Sequence, residues 1–167
     1  MQSTPTDSKK VIVAGVSGSG KTTIGLELAR MLDAEFLDGD DYHRPESVAK
    51  MAGGEALTDE DRAGWLTELG ETMSNRHCPT VLACSALKKI YRDRLRELCD
   101  GLSFVLLTAD TAEIRERMKE RGKDDGHFMP PALLDSQLAT LETGDDMIVV
   151  ENVGPPEEVA ARIFKLI

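Results

Sequence analysis

The feature that most narrows the folds open to this chain is the run Gly15-Val16-Ser17-Gly18-Ser19-Gly20-Lys21-Thr22, set between an apolar strand pattern and an amphipathic helix pattern. It matches G-x-x-x-x-G-K-[ST], a loop whose backbone amides wrap phosphate oxygens. The glycines at 15, 18 and 20 allow a sharp turn and a close approach of backbone to anion. The loop amides and the positive end of the following helix then face the phosphates. Lys21 is placed to reach the β- and γ-phosphates, and the Thr22 hydroxyl to ligate Mg²⁺. The predicted nucleotide-binding set is Gly15, Val16, Ser17, Gly18, Ser19, Gly20, Lys21, Thr22 and Thr23. The motif points to a nucleoside triphosphate and is silent about what else is bound.

Around this loop, short β-branched runs alternate with helical patterns. Strands are expected at Val11–Ala14, Glu35–Leu37, Thr80–Ala83, Ser103–Leu107 and Met147–Val150. Helices are expected at Lys21–Leu32, Ser47–Met51, Asp59–Arg76, Lys88–Cys99, Thr111–Arg121, Pro131–Leu141 and Pro156–Leu166. Ile24, Leu28 and Leu32 recur at i, i+4 and i+8, which places them on one buried face. Such alternation predicts an α/β fold with a parallel sheet covered on both faces, and ligands at the carboxyl ends of its strands. A length of 167 residues suits a single domain spanning 1–167. Polar stretches around Asp59–Arg62 and Arg121–Phe128 read as additions over the ligand-binding rim, one a substrate-binding insertion (about 43–78) and one a lid (about 121–130).

Charge excludes other classes. A net charge of −10 repels nucleic-acid phosphates and anionic membranes, so neither partner is expected. An anionic small molecule is still admissible where positive groups converge in one cleft. No apolar run approaches the ~20 residues of a membrane span. The opening residues MQSTPTDSK lack an apolar leader core. Cys78, Cys84 and Cys99 lack metal-ligand spacing and read as reduced thiols. The expected setting is the cytoplasm.

The second strand ends in Leu37-Asp38-Gly39-Asp40-Asp41. On an extended chain Asp38 and Asp40 project to the same side. Beside a Mg-nucleotide loop, two carboxylates can divide labour. One holds the metal side and the other accepts a hydroxyl proton or orients the acceptor.

Taken together, the blocks resemble a known family. Gly15–Thr22, Phe36-Leu37-Asp38-Gly39-Asp40 with Tyr42-His43, Lys50-Met51, Leu57–Arg62 with Trp65-Leu66, Cys84–Lys89 with Tyr91-Arg92, Gly126–Pro130, Ser136-Gln137 and Ala139–Glu142 are similar to those of the small P-loop gluconate kinases. The likeness runs from about residue 11 to 150. The resemblance implies the P-loop NTPase fold, here a nucleoside-monophosphate-kinase-like three-layer sandwich with a five-stranded parallel sheet and a lid. It further implies transfer from ATP, with Mg²⁺, to the 6-hydroxyl of D-gluconate, and assembly as a homodimer.

Gluconate is a polyol with one carboxylate, so its site needs a cation and several hydrogen-bonding groups. Arg62 and Lys88 are the candidate cations, Arg62 being favoured because a guanidinium grips a carboxylate bidentately. Asp40, His43, His127 and Gln137 are candidates for the hydroxyls. Thr22 and Asp38 are the candidate metal ligands, and Lys21, Asp40 and Arg121 the candidate catalytic groups. Arg117 and Arg121 share a helix face; Arg117 is expected near the nucleotide and Arg121 near the transferring phosphoryl group. Which of Asp38 and Asp40 faces the metal stays open on sequence alone. So does the choice between Arg121 and Lys123, because the stretch from Arg121 to His127 is about three residues longer than the family pattern. Ala63-Gly64 stands where proline is usual, and Leu138 replaces a common Phe. The rival readings are another small-metabolite kinase of this fold, such as a shikimate kinase, and an ATP-dependent switch without turnover.

Overall fold

Val11-Ile12-Val13-Ala14 is apolar on every residue, the mark of a parallel strand covered on both faces. In the computed structural model, which describes residues 8–124 and 131–167, this run lies in β1 (Lys10–Ala14) at the centre of the sheet, with those four side chains fully buried. The remaining elements follow in order: α1 (Lys21–Leu32), β2 (Glu35–Asp38), a 3₁₀ turn (Gly39–Tyr42), α2 (Pro45–Ala52), α3 (Asp59–Ser74), β3 (Thr80–Ala83), α4 (Lys89–Leu98), β4 (Leu102–Thr108), α5 (Thr111–Asp124), α6 (Pro131–Thr140), β5 (Ile148–Glu151) and α7 (Pro156–Leu166). The five strands are all parallel, in the order β2-β3-β1-β4-β5.

The expected layers are present. On one face Val11, Val13, Val81, Val105 and Leu107 pack on Ile24 and Leu28 of α1 and on Val159 and Ile163 of α7. On the other, Ile12, Leu82, Phe104 and Leu106 meet Trp65, Leu69 and Met73 of α3 and Tyr91 and Leu95 of α4. The period-two alternation of each strand sends its residues to these two cores in turn. A third, smaller cluster gathers Val16, Leu87, Ile114 and Leu134, with Leu138 and Leu141 against it, beneath the loops at the strands' carboxyl ends.

Helix starts follow local chemistry. Thr58 caps α3 by accepting from the Asp61 amide at 3.1 Å, and Asp61 returns the bond from the Thr58 amide at 2.9 Å. Lys50 of α2 reaches the same Asp61 carboxylate at 2.8 Å, which ties α2 to the start of α3. Two expectations are revised. The chain after Asp38 is not extended but turns at once into the 3₁₀ segment, because the Asp38 carboxylate accepts from the Asp40 amide at 3.0 Å. α5 runs three residues past Arg121 to Asp124, so the first part of the expected lid is helical. His127 and the rest of that lid, 125–130, lie outside the described residues. Among the described residues no helix is long and apolar enough to cross a membrane.

One buried charge organises the rim. Arg92 of α4 is fully buried, and each of its five N–H donors has an acceptor. Nε donates to Asp146 Oδ2 at 2.7 Å, Nη1 to the carbonyls of Ala86 and Leu87, and Nη2 to the Glu142 carbonyl and Asp146 Oδ1. Arg96 adds a second bond to Asp146 Oδ2 at 3.0 Å. This network holds the loop after β3, where Ala86 sits at φ 42°, against the segment joining α6 to β5. The two arginines hold the Asp146 carboxyl down at about 2. A depressed folded-state value contributes stability that is complete above the ordinary aspartate range and disappears as pH falls through about 4 towards 2. Asp146→Asn is therefore expected to lower the melting temperature at pH 7 and to flatten its decline between about pH 4 and 2. Thermal unfolding followed by circular dichroism across that range checks this, and an unchanged pH slope would count against it.

Candidate active site

The phosphate loop leaves β1 and enters α1 through a backbone that only glycine accommodates at its ends. Gly15 has φ 147°, and a Cβ there would lie 2.7 Å from Ser19 Oγ and 2.9 Å from the Leu107 carbonyl. Gly20, the N-cap of α1, has φ 98° and makes no side-chain capping bond, which leaves the first-turn amides for an anion. Lys21 Nζ folds back to donate to the carbonyls of Gly15 at 2.9 Å and Val16 at 3.0 Å. Crowding by protein lowers its proton affinity, and Asp40 and Asp38 oppose that shift.

The loop forms one side of a cavity of about 450 Å³. Ser17, Gly18, Gly20, Lys21, Thr22 and Thr23 line it, whereas Gly15, Val16 and Ser19 lie beneath as support. Asp38 and Asp40 line the same cavity from the end of β2, and Arg117 and Arg121 line it from α5. Arg117 also donates to the Gly18 carbonyl at 3.3 Å, which seats α5 directly on the loop. The expected juxtaposition of loop, paired carboxylates and arginines is thus present in one space.

The two carboxylates have opposite environments. Burial pushes the Asp38 carboxyl up, partly countered by the Asp40 amide. The Asp40 side chain stands in the open cleft, 86% exposed, and the His43 imidazole 3.6 Å away holds its carboxyl below the usual range, with help from Lys21. The His43 side chain is mostly covered, with 7% of it exposed. Its ring stacks on Trp65 at 4.3 Å between centroids, and its Nδ1 has no hydrogen-bond partner among the described residues. Trp65 Nε1 donates to the Gly39 carbonyl at 2.7 Å, so α3 fixes the turn that carries both aspartates. Gly39 has to be glycine here, because a Cβ would sit 2.8 Å from the Ala83 carbonyl.

Arg62 lies one turn before Trp65 on α3. Its Nη1 donates to the Leu57 carbonyl at 2.8 Å and to Tyr91 Oη at 3.0 Å, and its guanidinium lies over the Tyr91 ring. Lys88 pairs with Asp59 at 3.0 Å and faces the same ring, while Tyr91 Oη donates to Asp59. Tyr91 and Lys88 together pull the Asp59 carboxyl down. Both candidate cations therefore belong to one cluster around Tyr91, a residue that reads from sequence as packing. Gln137, expected among the substrate hydroxyls, accepts from the Ser17 amide at 2.7 Å and lines a second, small cavity with Arg62 and Leu57.

Sequence reasoning gives Asn152 no role and reads Trp65 and Tyr91 as packing. Asn152, just after β5, donates to the Ser19 carbonyl at 2.8 Å and pins the loop from below. Trp65 and Tyr91, the only Trp and one of two Tyr, hold the Asp-Gly-Asp turn and the cation cluster respectively. Their rarity in the chain was the one available signal. Cys84, just after β3, is buried, and that burial pushes its thiol up to about 12.

Amides for phosphate and carboxylates for an acceptor open into the same space, which makes the chain a P-loop kinase in class. A family model described as an AAA domain matches residues 11–143. A gluconokinase of Gluconobacter oxydans is 46% identical over 162 residues, covering 93% of this chain and 89% of that protein. The thermoresistant gluconokinase of Escherichia coli is 40% identical over 174 residues, covering 100% and 98%. The crystal structure of a gluconokinase from Sinorhizobium meliloti superposes with a TM-score of 0.80 at 40% identity, covering 95% of this chain and 94% of that one. The chain belongs to the gluconokinase family.

The Trp65–Gly39 bond is open to a direct test. Trp65→Phe keeps a ring against His43 but leaves the Gly39 carbonyl unpaired, an expected loss of about 1–3 kcal/mol in stability. Urea denaturation followed by circular dichroism measures it, and wild-type stability in the variant would show that the turn does not depend on the indole.

Proposed function

We propose that the chain transfers the γ-phosphoryl group of ATP to the 6-hydroxyl of D-gluconate, giving 6-phospho-D-gluconate and ADP. The observation that carries this reading is the shared cavity, in which the phosphate loop, Asp38, Asp40, Arg117 and Arg121 face one another. Family membership supplies the identity of the acceptor.

The residues fit both ATP and Mg²⁺. The loop offers unpaired first-turn amides and a cavity of about 450 Å³, within the usual range for small-molecule sites. Among the described residues no group of three or more His, Cys, Asp or Glu could enclose a metal. Thr22 and Asp38, both on the cavity wall, suit an ion that completes its shell with water and phosphate oxygens. When bound, Mg²⁺ neutralises charge on the phosphates.

In this reading Lys21 and the loop amides hold the β- and γ-phosphates, and Arg117 steadies the loop through Gly18. Asp40, kept ionised by His43 and Lys21, accepts a hydrogen bond from the 6-hydroxyl and aims it in line. The bond from that oxygen to the γ-phosphorus forms as the bond to the β,γ-bridging oxygen breaks. The hydroxyl proton passes to Asp40, and Arg121 offsets charge on the transferring group. Arg62 receives the gluconate carboxylate, with Lys88 beside it.

ADP release coupled to a spectroscopic readout, with Mg-ATP and a panel of gluconate, related sugar acids and shikimate, tests the reading. Strong stimulation by gluconate is expected, and Asp40→Asn should lower kcat by roughly 10²–10⁴. Arg62→Ala should act mainly on KM for gluconate. Stimulation by another acceptor, or by none, would overturn the assignment.

A further inference from the structure

Gln137 lines one cavity and is bonded to Ser17, which lines the other. Its Oε1 accepts from the Ser17 amide at 2.7 Å, and the same side chain helps to wall a second cavity with Arg62, Leu57, Met51 and Ser136. That cavity measures about 20 Å³. One water needs roughly 10–15 Å³ on such a scale, so a six-carbon acid cannot enter without the walls parting. One wall is α6, which carries Ser136 and Gln137; the other is the end of α2 and the start of α3, with Arg62. α6 does not move alone, because Leu134 and its neighbours Leu138 and Leu141 pack on Val16 of the phosphate loop. Its carboxyl end is tied as well, with the Glu142 amide bonded to the Leu87 carbonyl at 2.8 Å and the Glu142 carboxylate to the Lys89 amide at 2.9 Å.

Ser17 belongs to the stretch whose carbonyl neighbours, Gly15 and Val16, hold the Lys21 ammonium, and it lines the nucleotide cavity. A phosphate oxygen that sought the Ser17 amide would compete with Gln137 for it. We propose that Gln137 is a positioning residue that couples the two sites. With the second cavity closed its carboxamide holds the Ser17 amide, and an acceptor that opens the cavity draws Gln137 away and frees the amide for nucleotide phosphate. This rests on the gluconate reading above for the identity of the acceptor. Linkage then requires gluconate and nucleotide to tighten each other's binding by the same factor. One hydrogen bond at stake sets that factor at about 3–10-fold.

Calorimetric titration of the full chain with the β,γ-imido analogue of ATP and Mg²⁺, with and without gluconate, measures the factor without turnover. Wild type is expected to bind the analogue about 3–10-fold more tightly when gluconate is present. In Gln137→Met the competitor for Ser17 is gone. The analogue alone should then bind more tightly than to wild type by a similar factor, and gluconate should add nothing further. Gln137→Asn, one methylene too short to reach Ser17, should behave alike and serves if the methionine variant folds poorly. A purely structural role predicts the reverse, weaker analogue binding with a lower melting temperature, and that result would overturn the proposal. Coupling retained in both variants, or absent from wild type, overturns it while leaving gluconate turnover intact. Absence of wild-type turnover with gluconate overturns this inference together with the reading it rests on.

Discussion

A phosphate-binding loop must keep several backbone amides unpaired and aimed outward, and every other feature of the rim answers that requirement. Unsatisfied donors are costly in a folded chain unless they face solvent or ligand, so the loop cannot hold its own shape by ordinary backbone pairing. Neighbours supply the rigidity. Asn152 holds the Ser19 carbonyl, Ser85 accepts from the Gly15 amide, Arg117 seats α5 on Gly18, and Lys21 clasps Gly15 and Val16 from within. Arg92 makes the loop after β3 a fixed abutment by filling all its donors at once. A buried guanidinium is tolerable only when so fully paired, and here the pairing joins α4 to two segments distant from each other in sequence, the loop after β3 and the connection from α6 to β5.

Electrostatics divides the molecule in the same way. The chain carries a net charge of −10, yet Lys21, Arg117 and Arg121 converge on the one cavity that has to hold polyphosphate. Asp38, Asp40 and Glu120 line the same cavity, and the two aspartates are differentiated. Asp38 is disposed by burial towards a cation or a proton, whereas Asp40 stays ionised beside His43. Two carboxylates two residues apart thus acquire different chemistry from their surroundings alone.

Much of the fold was legible in the residues. β3, α1 and α7 begin and end where the patterns place them, and the other elements differ by a few residues, because periodicity reports which face is buried while capping chemistry trims the ends. The phosphate loop was legible for a different reason: its function depends on backbone conformation, and glycine spacing writes backbone conformation directly into sequence. The second half of the site was less so. The 3₁₀ turn after β2 was hidden because it forms through Asp38 capping its own chain, a choice that an extended strand end would equally allow. Tyr91 and Trp65 look like core residues and are buried like core residues, and only their polar atoms, meeting Arg62, Asp59 and Gly39, give them a second role.

By itself the sequence determined a parallel α/β chain with a nucleotide loop, two carboxylates beside it and a family likeness covering most of its length, because those properties depend on residues close to one another along the chain. Tertiary structure alone decided which distant groups meet: Gln137 with the Ser17 amide, Asn152 with the Ser19 carbonyl, Arg92 with Asp146, and Arg62 with Tyr91. Those contacts span 50 residues or more in most cases, and no local period encodes them. They arise when strands ordered β2-β3-β1-β4-β5 bring their carboxyl-end loops to one rim, where the side chain that reaches an open donor or acceptor is the one that sets the site.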